Sequence, residues 1–349
     1  MKYFLNISFL LLLLILQSCN PENTTSSTFN FHDGYFIINE GGYSVGNASL
    51  TFVSDDFTTI EQDIFKKANN RALGDTAQSL FLYNEYAYIV VNASDKIEVV
   101  NRNTMESVTT IYGEEIKNPR YMVAYNGFGY ISNWGEASDP SDDFIAVINL
   151  TNNQVSTTIP IGEGPEKLIV ANNKIYVALQ GGWHQNNKIV VIDPISNTLT
   201  NTIVVGDVPN SILKDDLGSI WVLCQGKPSY ASEETTGQLI KIIDESVAYT
   251  FDFLDNTHPT SLCLINNTLY FVKNGYITSA PIETPDTQYN IHEFNGDPRG
   301  IIGIDESKFY TIDAGDYTAE GTISVYDKLS FELIKEVATG IIPNAIIIL

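Results

Sequence analysis

A repeat limits what this chain can fold into more than any other feature. A polar or Gly-rich turn, a proline, an apolar strand, a short turn and an aromatic-rich strand recur in that order. The copies are "NPRYMVAYNGFGYISN", "GPEKLIVANNKIYVAL", "VPNSILKDDLGSIWVL", "HPTSLCLINNTLYFVK" and "DPRGIIGIDESKFYTI", with a truncated one in "IPNAIIIL". A further copy, "GDTAQSLFLYNEYAYIVV", has Ala77 at the proline position. The anchors Ala77, Pro119, Pro165, Pro209, Pro259, Pro298 and Pro343 are separated by 42, 46, 44, 50, 39 and 45 residues. The later half of each unit adds two strand signals, clearest in "KIVVIDPISNTLTNTIVVG", where a Pro-Ile-Ser-Asn turn divides them. Four short strands in a unit of about 45 residues predict a propeller blade. Seven anchors therefore predict an all-β, seven-bladed β-propeller. A helical solenoid of the same period requires apolar positions three and four apart over about ten residues. The runs here are short, β-branched and aromatic instead.

The chain ends close the ring in this reading. Pro343 is followed by one strand, "NAIIIL", while Ala77 is preceded by three strand signals, "GYFIINE", "ASLTFVSD" and "TTIEQDIF". The C-terminal strand joins the N-terminal three as one blade, which pairs both open sheet edges.

Upstream of the repeats, one Lys at position 2 precedes an apolar run from Ile7 to Leu16, interrupted only by Ser8, that closes on "LQSC", Leu16 to Cys19. A run of ten residues is too short to span a bilayer as a helix, so it is expected to be a signal-peptide core. "LQSC" resembles the lipobox of bacterial lipoproteins, which implies lipidation of Cys19 after cleavage. The polar run "NPENTTSSTFNFH" lacks the apolar surface to offset its ordering entropy and reads as a tether. The expected organisation is a signal peptide over residues 1–18, a flexible tether over 19–32 and the propeller over 33–349.

Lipidation leaves two cysteines, Cys224 and Cys263, both in apolar runs. They read as small buried hydrophobes, with a bridge between them as the alternative. A net charge of −23, from 42 acidic and 19 basic residues, argues against binding a phosphate backbone, which needs clustered Lys and Arg. No nucleic-acid partner is expected, and contact with a membrane is expected only through the lipid.

In a propeller, the links entering the innermost strands and the loops between second and third strands share one face. The residues after the anchors, Gln78, Arg120, Glu166, Asn210, Thr260, Arg299 and Asn344, should ring the channel mouth on that face, and all are polar. Two arginines in so acidic a chain point to a ligand with acceptors. Five second-to-third strand loops are long: "NEGGYSVGNA", "SNWGEASDPSDDF", "LQGGWHQNNK", "CQGKPSYASEETTGQ" and "DAGDYTAEGT". They carry Tyr43, Trp134, Trp183, Tyr230 and Tyr317. Large aromatics on loops over a rigid scaffold favour recognition of a broad organic ligand or a partner protein.

Catalytic and metal readings are weaker. Gly42-Tyr43-Ser44-Val45-Gly46 matches the G-x-S-x-G nucleophile elbow, but strand signals lie on both sides where a helix must follow. Of the histidines, His32 falls in the tether and His292 in an outer strand, leaving His184 and His258 on the loop face. No His or Cys pair has ligand spacing. The acidic loop "EASDPSDDF", with Asp139, Asp142 and Asp143, lacks the D-x-D-x-D-G order of a calcium loop and reads as solvated.

The repeat is similar to that of YncE-like, YVTN-type surface propellers. "FIINEGGYSVGNASL", "RALGDTAQSLFLYNEYAYIVVNASDKIEVVN", "NPRYMVAYNGFGYISNWG", "DDLGSIWVLCQGK" and "DAGDYTAEGTISVYD" resemble surface propeller lipoproteins of Bacteroidetes, a group that includes a cobalamin-binding partner of a TonB-dependent transporter. The resemblance implies an outer-membrane, cell-surface lipoprotein that captures a corrinoid and delivers it to such a transporter. Cobalamin would be cargo rather than cofactor, and no enzymatic step is implied. The expected contacts, taken from face geometry, are Tyr43, Arg120, Trp134, Trp183, His184, Asn210, Tyr230, Arg299 and Tyr317. Two alternatives are an interaction propeller without a small ligand and an enzyme of the lactonase or lyase kind.

Overall fold

A computed structural model describes residues 29–136, 138–293 and 302–349 of the protein, with the backbone alone for Ile302–Ile304. The signal peptide, Cys19, most of the tether, Pro298 and Arg299 lie outside the described residues. Seven four-stranded antiparallel sheets follow one another, as the repeat predicts. In chain order, the innermost strands of blades 2 to 7 are Ala77–Tyr83, Pro119–Tyr125, Pro165–Ala171, Pro209–Lys214, Thr260–Ile265 and Ile302–Ile304. These strands touch their neighbours in sequence around the channel. Blade 1 is composite: Pro343–Ile348 pairs antiparallel with Gly34–Asn39, which pairs with Ser49–Ser54. The ring therefore closes by the last strand joining the first three.

Proline falls where a ladder tolerates it. Pro119, Pro165, Pro209 and Pro343 are the first residues of innermost strands, a position where a missing N–H costs little. The middle strands are apolar along most of their length because blades stack on both of their faces. Tyr86–Val91 and Lys188–Asp193 are buried nearly throughout, whereas the outermost strands Gln154–Pro160 and Thr198–Val204 are mostly exposed. Among the described residues the buried side chains form seven clusters, each between two successive blades. The core is thus a ring of interfaces rather than one centre.

Blade 1 departs from the expected pattern in its outermost strand. Only Ile60–Glu61 pairs, and a short helix, Ile64–Asn69, follows it. Ile64 and Phe65 of that helix are buried between blades 1 and 2. The packed body also begins ahead of residue 33. Phe31 is 3% exposed and packs on Phe36 and Phe52, with Phe29 stacked on it at 5.2 Å. The Phe31 N–H donates to the carbonyl of Asn103, in the turn between the third and fourth strands of blade 2. That turn lies on the face opposite the second-to-third strand loops, so Phe31 is held at that opposite face.

Cys224 is buried and Cys263 half-buried, and both are thiols, not bridged to each other. Cys263 lies on the innermost strand of blade 6, where burial pushes its thiol up to about 11. Among the described residues no helix is long and apolar enough to cross a membrane.

Candidate functional site

The five long loops all connect second to third strands, in blades 1, 3, 4, 5 and 7, and so share one face. Four of their aromatics stand out into solvent on four different blades. Tyr43 is 79% exposed, Trp183 75%, Tyr230 86% and Tyr317 42%. Exposed rings of this size give a ligand large, stiff contact surfaces. Beside the Tyr43 loop, a cleft of about 280 Å³ opens between blades 7 and 1, lined by Ala48, Phe65, Lys66, Leu73, Glu320 and Ile341 among others.

Trp134 sits differently. It is half-buried, its indole N–H donates to the carbonyl of Pro165 at 3.0 Å, and the Arg120 guanidinium lies 4.0 Å over its ring. Arg120 also donates through Nε and Nη2 to Glu166 Oε1, at 3.0 and 2.7 Å. Although burial opposes its charge, the Glu166 carboxylate holds the Arg120 guanidinium above its ordinary value. Trp134, Arg120 and Glu166 therefore form a clamp across blades 3 and 4.

The described residues after the anchors lie at the entries of the innermost strands, but several are buried and engaged with one another. The Asn344 amide donates to the carbonyl of Gln78 at 3.1 Å, and the Gln78 amide donates to the Tyr121 hydroxyl at 3.2 Å. The Asn210 amide donates to the carbonyl of Pro259 at 3.0 Å. With the Arg120–Glu166 pair, these bonds tie blades 1 to 4 in one run and blades 5 and 6 in another at the channel mouth, beneath the aromatic loops.

His184, next to Trp183, places Nδ1 2.5 Å from Glu163 Oε1. Glu163 and Gly164 form the link into blade 4. Gly164 has φ +69°, and a Cβ there would meet the backbone of Gly181 and Gly182 at 2.1–2.4 Å, so only glycine lets link and loop touch. The Gly164 N–H donates to Asp143 Oδ2 at 2.6 Å. Asp143 is 4% exposed, not solvated like the rest of its loop. Burial, then the carboxylates of Asp142, Glu163 and Asp139, push its carboxyl up to about 7 against the pull of the Gly164 N–H. The loops bearing Trp134 and Trp183 are thus joined through one buried acid.

His258 bridges the carbonyl of Gln225 and the carboxylate of Glu234, closing the base of the Tyr230 loop. Ser44 is exposed in a turn at φ 63° and is followed by strand, which is not the elbow geometry. Among the described residues no group of His, Cys, Asp and Glu could hold a metal ion.

These features define a seven-bladed propeller with an aromatic loop face above a polar channel mouth. Over residues 33–294 the chain matches the family described as a domain of unknown function, DUF5074, and it belongs to that family. No curated protein matches it in sequence. Among solved structures it is similar to a functionally unknown protein from Desulfotomaculum acetoxidans, with TM-score 0.65 and 12% identity over 91% of this chain and 99% of that one. A candidate 6-phosphogluconolactonase from Bacteroides fragilis gives TM-score 0.64 and 12% identity over 93% and 99% of the two chains. AztD from Citrobacter koseri gives TM-score 0.54 and 11% identity over 90% and 96%. At these identities the likeness concerns the fold alone.

Proposed function

We propose that the chain is a non-catalytic capture protein, held by lipidated Cys19 at the outer membrane and displayed at the cell surface. Its loop face takes a corrinoid of the cobalamin kind and passes it to a TonB-dependent transporter. The observation that carries this reading is the set of four exposed aromatics on four separate blades of one face. A small ion or metabolite does not need so wide a spread of rings; a broad, rigid macrocycle edged with amides does. The packing of Phe31 supports the reading, because the first described residues are held at the face opposite the loops.

The test is gel filtration of the purified domain, residues 29–349, mixed with cobalamin. Visible absorbance should co-elute with the protein at micromolar concentrations. If it elutes separately, the corrinoid reading fails, and capture of the transporter itself by the same rings becomes the better account. Turnover of a lactone by the domain would remove the non-catalytic part of the proposal.

A further inference from the structure

The channel mouth contains two buried acceptors that lack donors among the described residues. They are Glu166 Oε2 and Asn210 Oδ1, at equivalent positions in the adjacent blades 4 and 5. Each belongs to a side chain already fixed by its other end: Glu166 Oε1 by Arg120, and Asn210 Nδ2 by the carbonyl of Pro259. A buried acceptor without a donor forfeits its hydration, and natural proteins keep few of them. Two such acceptors at equivalent positions of adjacent blades, each fixed by the other end of its side chain, suit a guest group that brings N–H donors.

The surrounding charge decides what kind. Arg120 already offsets the Glu166 carboxylate, and Lys167, the next residue along the strand, lies 6.0 Å over the Tyr121 ring in the channel wall. Burial holds the Lys167 ammonium below its ordinary value, so further positive charge is unwelcome there. A guest ammonium or guanidinium would face two resident cations. A neutral primary carboxamide would not: it offers two N–H donors to the acceptors, and its carbonyl can accept from a lysine.

We propose that the channel mouth is a carboxamide subsite, in which Glu166 and Asn210 receive the N–H groups of an amide arm of the bound ligand. This rests on the capture reading above and specifies how that face would tell an amide-edged ligand from its acid counterparts. The aromatic loops cover the body of the ligand, and the channel inspects one arm.

Equilibrium dialysis with cobalamin and its monocarboxylic acids, in which single propionamides are hydrolysed, tests the proposal. At least one acid should bind the wild-type protein about tenfold or more weakly than cobalamin, since it loses a hydrogen bond and sets a carboxylate against Glu166. Glu166→Gln keeps an oxygen for Arg120 and presents N–H at the orphan position. It should weaken cobalamin and narrow or reverse the difference for that acid, an exchange that mere loosening of the fold cannot produce. Asn210→Asp should likewise weaken that same acid further. Cobalamin and all the acids binding alike, with Glu166→Gln without effect, overturns the subsite while leaving capture intact. No binding of cobalamin at all removes capture, and the subsite with it.

Discussion

Replacing Asp143 by asparagine should stabilise the protein, and the gain should depend on pH. In the folded chain this carboxyl titrates at about 7 against an ordinary 3.8. Its raised value means that the folded state holds a proton which the unfolded chain has lost. Stability is therefore fully present below the unfolded value and falls as pH rises from there through about 7. About three units at 1.36 kcal/mol each set a ceiling of roughly 4 kcal/mol, and relaxation of the loop should reduce the measured effect to about 1–3 kcal/mol. The asparagine side chain keeps an oxygen for the Gly164 N–H, so the tie between the two loops survives the substitution. The assay is urea unfolding of wild type and Asp143→Asn from pH 3.5 to 8.5, followed by Trp fluorescence. The difference should be near zero at the acid end, grow through the middle and level off above about pH 7. A difference that is constant across this range, or a variant less stable at pH 8, would refute the buried-acid account.

Other expectations follow from the same geometry. Trp183→Ala and Tyr230→Ala should each weaken cobalamin about tenfold while changing stability by less than about 0.5 kcal/mol, because both rings are exposed. Equal loss of affinity and stability would assign them to packing. Glu166→Leu should destabilise by about 3–5 kcal/mol by stranding the Arg120 charge, with much of that recovered in Arg120→Met/Glu166→Leu; denaturant midpoints of the singles and the double decide. Phe31→Ala should cost about 3–5 kcal/mol, since the ring is buried among Phe36 and Phe52. Cys19→Ala should abolish incorporation of labelled fatty acid and release the protein from membranes on fractionation.

Periodicity made the architecture legible. A proline at the entry of six repeats, Ala77 in its place in the seventh, and a near-constant spacing are local facts, and the ring needs nothing beyond their count and the mismatched chain ends. The helix Ile64–Asn69 was not legible, since six residues without a side-chain cap at the N-terminal end carry little helical signal of their own. Tertiary packing of Ile64 and Phe65 decides it. The aromatic loops were readable as a face, but not the sorting of their rings, because Trp134 is claimed by Arg120 of its own blade and by Pro165 of the next. The clamp did leave a trace: Arg120 and Glu166 are opposite charges at the same position in successive repeats, 46 residues apart. Reading across repeats for complementary charge could have found it. Asp143 left none, because three acids in a Ser- and Pro-containing loop look solvated until the fold seals one of them under Gly164.

The central claim, that the loop face captures a corrinoid, is tested most directly by equilibrium dialysis of cobalamin against the domain and a Tyr43→Ala/Trp183→Ala/Tyr230→Ala/Tyr317→Ala variant. The account predicts saturable, one-to-one binding by the wild-type domain that the folded quadruple variant loses. Binding that survives all four substitutions, or a wild-type domain that retains no cobalamin, would contradict it.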